Sequence, residues 1–335
     1  MKRARPALAL HDAVQKYDLA GMKSLIEAGA SLTEIDDDGS TPLHLAVVGP
    51  PDAVQAMLSI LLSSVDEDER LEAITAHDDD GMTPLHLATR CSNSNVVDFM
   101  LCSIDEEVRG DVLDYKTQRK GSLWNGDWGK KKADGSLDEL DTEHMTIFHL
   151  ALERLDPSAG DDDDDDDSDD DAEPLSDAAR AEGVAMVRLL IEHGADVNAR
   201  DADARTPFHQ AVDAGLHDVV EMLLEAGADP SLGCKAYGVA NTALHQAVVR
   251  GDEGMVRLLI RAAPHLDVDA AGQNGLTPLC LAARSNKEAC AKALLDGGAD
   301  PNKVTSFGGG KSALDIAKTN KRTGILKLFG VAADA

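Results

Sequence analysis

Thr41 and His44 stand three residues apart, directly after the acidic run Asp36, Asp37 and Asp38. A hydroxyl, an imidazole and a carboxylate are the parts of a nucleophile, its general base and the group that orients the base. Two other stretches offer chemistry of different kinds. Phe307 to Ser312 reads FGGGKS and resembles a phosphate-binding loop. That loop needs a Gly where Thr305 stands, and a buried strand before it, and neither is present. The stretch EIDDDG would offer Glu34, Asp36 and Asp38 to calcium, with Gly39 at the turn. Its closing ligand position is Leu45 rather than Glu, and the similar run ending at Gly81 begins on Ala76. No metalloprotease, nucleophile-elbow or zinc-finger spacing occurs. Neither a metal nor a cofactor is therefore expected.

The stretch that holds Thr41 and His44, GSTPLHLA, returns along the chain. It reads GMTPLHLA from Gly81, HMTIFHLA from His144, ARTPFHQA from Ala204 and ANTALHQA from Ala240. GLTPLCLA from Gly275 and GKSALDIA from Gly310 follow, and LALHDA near the start is a degenerate first copy. The Thr or Ser falls at 41, 83, 146, 206, 242, 277 and 312, so the later spacings are 36, 35 and 35 residues. A fixed period of this size marks a solenoid in which each unit shields its neighbour. After each octet comes a second apolar helix, as in MVRLLIEHGADVN and VVEMLLEAGADPS, with apolar residues at i, i+3 and i+4. Gly29, Gly194, Gly227 and Gly298 close those helices where a left-handed residue is needed.

These residues resemble the ankyrin repeat: D-x-x-G-x-T-P-L-H-x-A, a second helix, then G-A-D-x-N. The resemblance covers about four-fifths of the chain and implies an all-α solenoid of helix–turn–helix units joined by hairpin loops. Cys280 and Asp315 replace two of the helix-opening His residues, and Ala204 and Ala240 replace the hairpin Gly. The resemblance makes Thr41 a helix cap, Pro42 the first helical residue, and His44 a tie to the Thr hydroxyl and nearby backbone. Thr83/His86, Thr146/His149, Thr206/His209 and Thr242/His245 repeat the arrangement. A pair present five times is scaffold, whereas a catalytic site is built once.

The composition agrees with helices. Hydrophobic residues make up 43% of the 335 residues but aromatics only 3%, so Leu, Ala, Val, Ile and Met must build the core. The formal net charge of −29 argues against nucleic acid or an anionic membrane as partner. Five cysteines without a Cys-x-x-Cys pair suit a reducing cytosolic or nuclear setting, with Cys280 and Cys290 packed inward. The apolar run near the start ends at His11, too short for a signal peptide, and no run is long enough to span a membrane.

The expected organisation is repeats one to three over residues 5–102, an insertion over 103–143, and repeats four to eight over 144–330. An acidic loop at 156–175, holding eleven acids between Asp161 and Glu173, interrupts the last block and is expected to be disordered. The first insertion carries Trp124 and Trp128 among Lys116, Arg119, Lys120, Lys130, Lys131 and Lys132. It reads as a cover over an apolar edge, a protein contact or a nuclear import signal. Seven or eight repeats in one curved, right-handed array are expected, with Asp12, Lys16 and Asp18 in the first cap and Lys318, Asn320, Lys321 and Arg322 in the last.

What the resemblance implies about function is a non-enzymatic scaffold or regulator. It would bind a protein partner through its concave face and hairpin tips, as a monomer in the cytoplasm or nucleus. By position, the tip residues are Asp37, Asp38, Asp79, Asp80, Asp203, Gln273 and Asn274. The residues before the Thr include Ser40, Met82, Arg205 and Asn241, and those closing the first helices include Arg90, Asp213, Arg250 and Arg284. With Trp124 and Trp128 these form the expected binding set. A nuclear transcription coregulator, a secreted microbial effector and an enzyme hidden in an insertion are the alternatives. Neither insertion is long enough to build its own core.

Overall fold

The computed structural model describes residues 8–91, 93–117, 145–155, 176–234, 241–272, 275–305 and 310–331. Among them the elements are helices, joined by short turns and hairpins. They fall into two compact units.

The first unit begins with the pair α1 (Ala9–Gln15) and α2 (Leu19–Glu27), then α3 (Pro42–Val47) and α4 (Pro51–Ser63). An additional helix, α5 (Glu67–Thr75), precedes the third pair, α6 (Pro84–Arg90) and α7 (Ser94–Cys102). Another, α8 (Glu106–Leu113), precedes the fourth pair, α9 (Ile147–Glu153) and α10 (Asp177–Glu192). The second unit holds four more pairs: α11 (Pro207–Ala214) and α12 (His217–Glu225), α13 (Ala243–Arg250) and α14 (Glu253–Ala262), α15 (Pro278–Ser285) and α16 (Glu288–Asp296), α17 (Ala313–Thr319) and α18 (Thr323–Leu328).

Each pair forms for the reasons its sequence supplies. Thr41, Thr83 and Thr206 cap first helices, each accepting from a backbone N–H in the first turn, and a Pro without an N–H follows each. Second helices bury one stripe, as with Val219, Val220 and Leu223 on α12. Their closing glycines are left-handed, with φ of 89° at Gly29, 85° at Gly194, 92° at Gly227 and 93° at Gly298. Like then packs on like. In the first unit α1 lies on α3, α3 on α6 and α6 on α9; in the second, α11, α13, α15 and α17 follow one another, and the second helices do the same. Leu, Val, Ala and Met dominate the buried residues, with Phe148 and Phe208 the largest fully buried side chains.

Helices α5 and α8 are absent from the sequence reading, and they are copies of one device. VDEDERLEAI (Val65 to Ile74) and IDEEVRGDVL (Ile104 to Leu113) occupy the place where other repeats have Gly-Ala-Asp. Each buries its last two residues, Ala73 and Ile74 or Val112 and Leu113. Arg70 and Arg109 each donate to the carbonyl five residues back, on Val65 and Ile104. Glu69 accepts from Leu32 N–H at 3.0 Å and Ser31 Oγ at 3.2 Å, which fastens α5 to the turn after α2. The segment 103–143 thus opens with an ordered helix. Its remainder from 118, with Trp124 and Trp128, lies outside the described residues, as do the acidic segment 156–175 and the tip residues Gln273 and Asn274.

Candidate functional site

The Thr–His pairs are buried and inward-facing. Thr41 N–H donates to His44 Nδ1 at 3.1 Å, and Thr41 Oγ1 lies 2.8 Å from the same nitrogen. An Nδ1 that accepts an N–H carries no proton, so the proton sits on Nε2, which donates to the Met82 carbonyl at 3.0 Å. That bond crosses from one repeat to the next. His245 does the same to Leu276 at 3.0 Å, and His11 reaches the Ser40 carbonyl at 3.0 Å. Thr83–His86, Thr146–His149 and Thr206–His209 keep the inner contact at 2.6, 2.8 and 2.8 Å. Burial pushes His86 and His209 down to about 4, and lowers His44 and His245 as well. Neutral rings held at Nδ1 by the Thr cap, with His44 and His245 also bonded through Nε2 to the next repeat, are structural ties.

The aspartates that begin the hairpins are also structural. Asp36 Oδ1 accepts from Asp38 N–H at 3.0 Å and Ser40 N–H at 2.8 Å. Asp201 Oδ1 accepts in the same way from Asp203 and Arg205, at 3.0 and 2.8 Å. Asp78 Oδ1 accepts from Met82 N–H at 2.8 Å. Gly39, Gly81 and Gly275 turn these hairpins with φ of 72°, 74° and 70°, while Ala204 is held at 57° in the same place.

The groups left at the surface are the tips. Asp37, Asp38, Asp79 and Asp80 are all exposed. Asp79 N–H donates to the Asp38 carbonyl at 3.3 Å, so the two tips abut and their four carboxylates form one continuous acidic edge. Asp203 is likewise exposed, and Ser40 half-buried.

Other members of the expected set have different positions. Met82 and Asn241 are buried, each 7% exposed, and do not belong to a presented surface. Met82 packs against Met145 and Leu150, while its carbonyl receives His44 of the preceding repeat. Arg205 is bound to its own hairpin through Asp201 at 3.0 Å.

Arginines near the first-helix ends stitch repeats together. Arg154 donates to the Arg90 carbonyl, Arg250 to the Asp213 carbonyl and Arg322 to the Arg284 carbonyl. Each accepting residue closes or nearly closes a first helix, where backbone carbonyls lack helical partners and the helix dipole is negative. Asp213 also accepts from Gln246 at 3.1 Å. Arg90, Arg250 and Arg284 are exposed and Asp213 is half-buried. The sequence signal for this stitch is an Arg eight residues after the Thr, at Arg154 and Arg250.

A family model described as ankyrin repeats in three copies matches residues 9–109, 143–234 and 232–305. The chain belongs to the ankyrin-repeat family. Ankyrin repeats are generally protein-interaction modules. The chain is similar to the fowlpox virus (strain NVSL) ankyrin repeat protein FPV219, 31% identical over 40% of this chain and 29% of that protein. It is 37% identical to protein lin-12 of Caenorhabditis elegans over 32% of this chain and 8% of that protein. It is 35% identical to the mitochondrial disaggregase of Bos taurus over 46% of this chain and 22% of that protein. The chain thus matches less than a third of these relatives' lengths. Among solved structures, the ankyrin repeat domain of Bcl-3, a member of the IkappaB protein family, aligns over 95% of this chain and 97% of that one. The identity is 19% and the TM-score 0.43. No helix among the described residues of the ankyrin chain is long and apolar enough to cross a membrane.

Proposed function

We propose that this ankyrin chain is a non-enzymatic scaffold that holds a protein partner on its hairpin tips and first-helix surface. The partner's contact segment is basic where it meets Asp37, Asp38, Asp79 and Asp80. The observation that carries this reading is how the polar groups are used. The groups that resemble catalytic parts, Thr41, His44 and Asp36, have their hydrogen bonds inside the scaffold, whereas the four tip carboxylates stand exposed on abutting hairpins. A concentrated acidic edge steers a basic partner and fixes its orientation. The exposed Arg90 and Arg284 supply positive points beside the first helices, which suits a partner of mixed charge.

A nuclear setting rests on the basic clusters around Lys120 and Lys131. The test is capture of partners with the full chain, followed by binding of the recovered partner to D37K/D38K/D79K/D80K. The reading expects loss of binding and weaker wild-type binding at high salt. Unchanged affinity of the four-fold variant would overturn the tip assignment.

A further inference from the structure

We propose that Asp98, Cys102 and His193 bind a divalent transition-metal cation of the zinc class, which staples α7 to the end of α10. Asp98 and Cys102 stand four residues apart on α7, so both side chains share one face. His193 is the residue that caps the C-terminus of α10. The two helices pack side by side as neighbouring second helices.

The donor atoms are already gathered. His193 Nε2 lies 2.9 Å from Asp98 Oδ1, Cys102 Sγ lies 3.6 Å from the same oxygen, and all three atoms are within 4.8 Å of one another. A tetrahedral zinc ion with bonds of about 2.0 to 2.3 Å holds its ligand atoms roughly 3.3 to 3.7 Å apart. The cluster needs only small side-chain movements to meet that geometry. Its chemistry selects the ion class: one imidazole nitrogen, one sulfur and one carboxylate oxygen suit zinc, whereas calcium and magnesium take oxygen alone. Three protein ligands leave the fourth position for water, and Asp98 and Cys102 face solvent, so an ion has a way in.

The local field favours a cation. Both α7 and α10 end here, so the negative poles of two helices meet at the cluster. Arg109, the neighbouring positive group, is bound to the Ile104 carbonyl at 3.3 and 3.2 Å. Binding replaces the thiol proton by the metal and releases it to solvent. His193 moves its own proton to Nδ1 and gives the Nε2 lone pair to the ion. The His193–Asp98 contact already joins residues 95 apart in sequence, and the metal would lock that junction. Both long inserted segments lie between Cys102 and His193 in sequence.

The experiment titrates the reduced full chain with Co2+, then displaces it with Zn2+. The proposal expects one Co2+ per chain, a tetrahedral visible spectrum and a sulfur-to-cobalt charge-transfer band. C102S, an exposed and conservative change, should lose that band and weaken zinc binding by about tenfold or more, with helicity unchanged by circular dichroism. D98N and H193Q should weaken zinc binding while the band shifts or fades. An octahedral, oxygen-ligated spectrum without the sulfur band would overturn the site. So would a sulfur band that persists in C102S, because another cysteine would then hold the ion.

Discussion

Replacing His209 by Gln tests whether the recurring imidazoles are neutral ties. His209 is fully buried beside Thr206, whose N–H donates to Nδ1 at 3.3 Å. Burial lowers its pKa from 6.5 to about 4. The folded chain therefore holds fewer protons at this ring than the unfolded chain does. The sign follows: the stability due to the neutral ring is complete above 6.5 and is lost as pH falls from there through about 4. At pH 5 the unfolded ring is almost wholly protonated and the folded one scarcely so, a difference of roughly 2 kcal/mol. Gln at this position does not titrate, while both proteins share every carboxylate. The rest of the acid titration therefore cancels in the comparison. Urea unfolding followed by far-ultraviolet circular dichroism at pH 7.5 and pH 5 measures it. The variant is expected to be less stable at pH 7.5 by about 1 to 3 kcal/mol, because hydrogen bonds are lost in a buried place. The gap should narrow by roughly 2 kcal/mol at pH 5. A gap that stays constant between the two pH values would refute the neutral-ring assignment.

Ala204→Gly should stabilise the second unit by about 1 kcal/mol, since Ala204 holds a left-handed φ of 57° where other hairpins have Gly. A lower melting temperature by calorimetry would contradict that geometry. Arg250→Met keeps the aliphatic stem and removes the donor to the Asp213 carbonyl, which should cost about 1 to 2 kcal/mol. Hydrogen exchange should then quicken at the end of α11, and unchanged exchange there would deny the stitch.

The parts of this structure that could be read from sequence are those written within one turn. Thr-Pro-Leu-His places a cap, a first helical residue and a side chain that reaches back to the cap, so each first helix announces itself. The closing glycines do the same for second helices. Helices α5 and α8 escaped that reading because they replace the Gly-Ala-Asp turn with an acidic, weakly apolar run, and within the helices only Ala73 and Ile74 or Val112 and Leu113 are buried. Their likeness to each other, VDEDERLEAI and IDEEVRGDVL, was the signal. Met82 and Asn241 were read as presented because position along the repeat does not tell which side of the hairpin strand faces the next repeat. The Asp98, Cys102 and His193 cluster is invisible to any local spacing, since packing of α7 on α10 joins residues 95 apart.

Carbodiimide labelling of carboxylates, in the free chain and with its recovered partner bound, distinguishes a partner held on the hairpin tips from one held elsewhere. Asp37, Asp38, Asp79 and Asp80 are expected to label readily alone and to be shielded in the complex, while Glu27 and Glu225 on second helices stay reactive in both. Shielding of Glu27 and Glu225 with the four tip carboxylates still open would contradict a partner held on the tips.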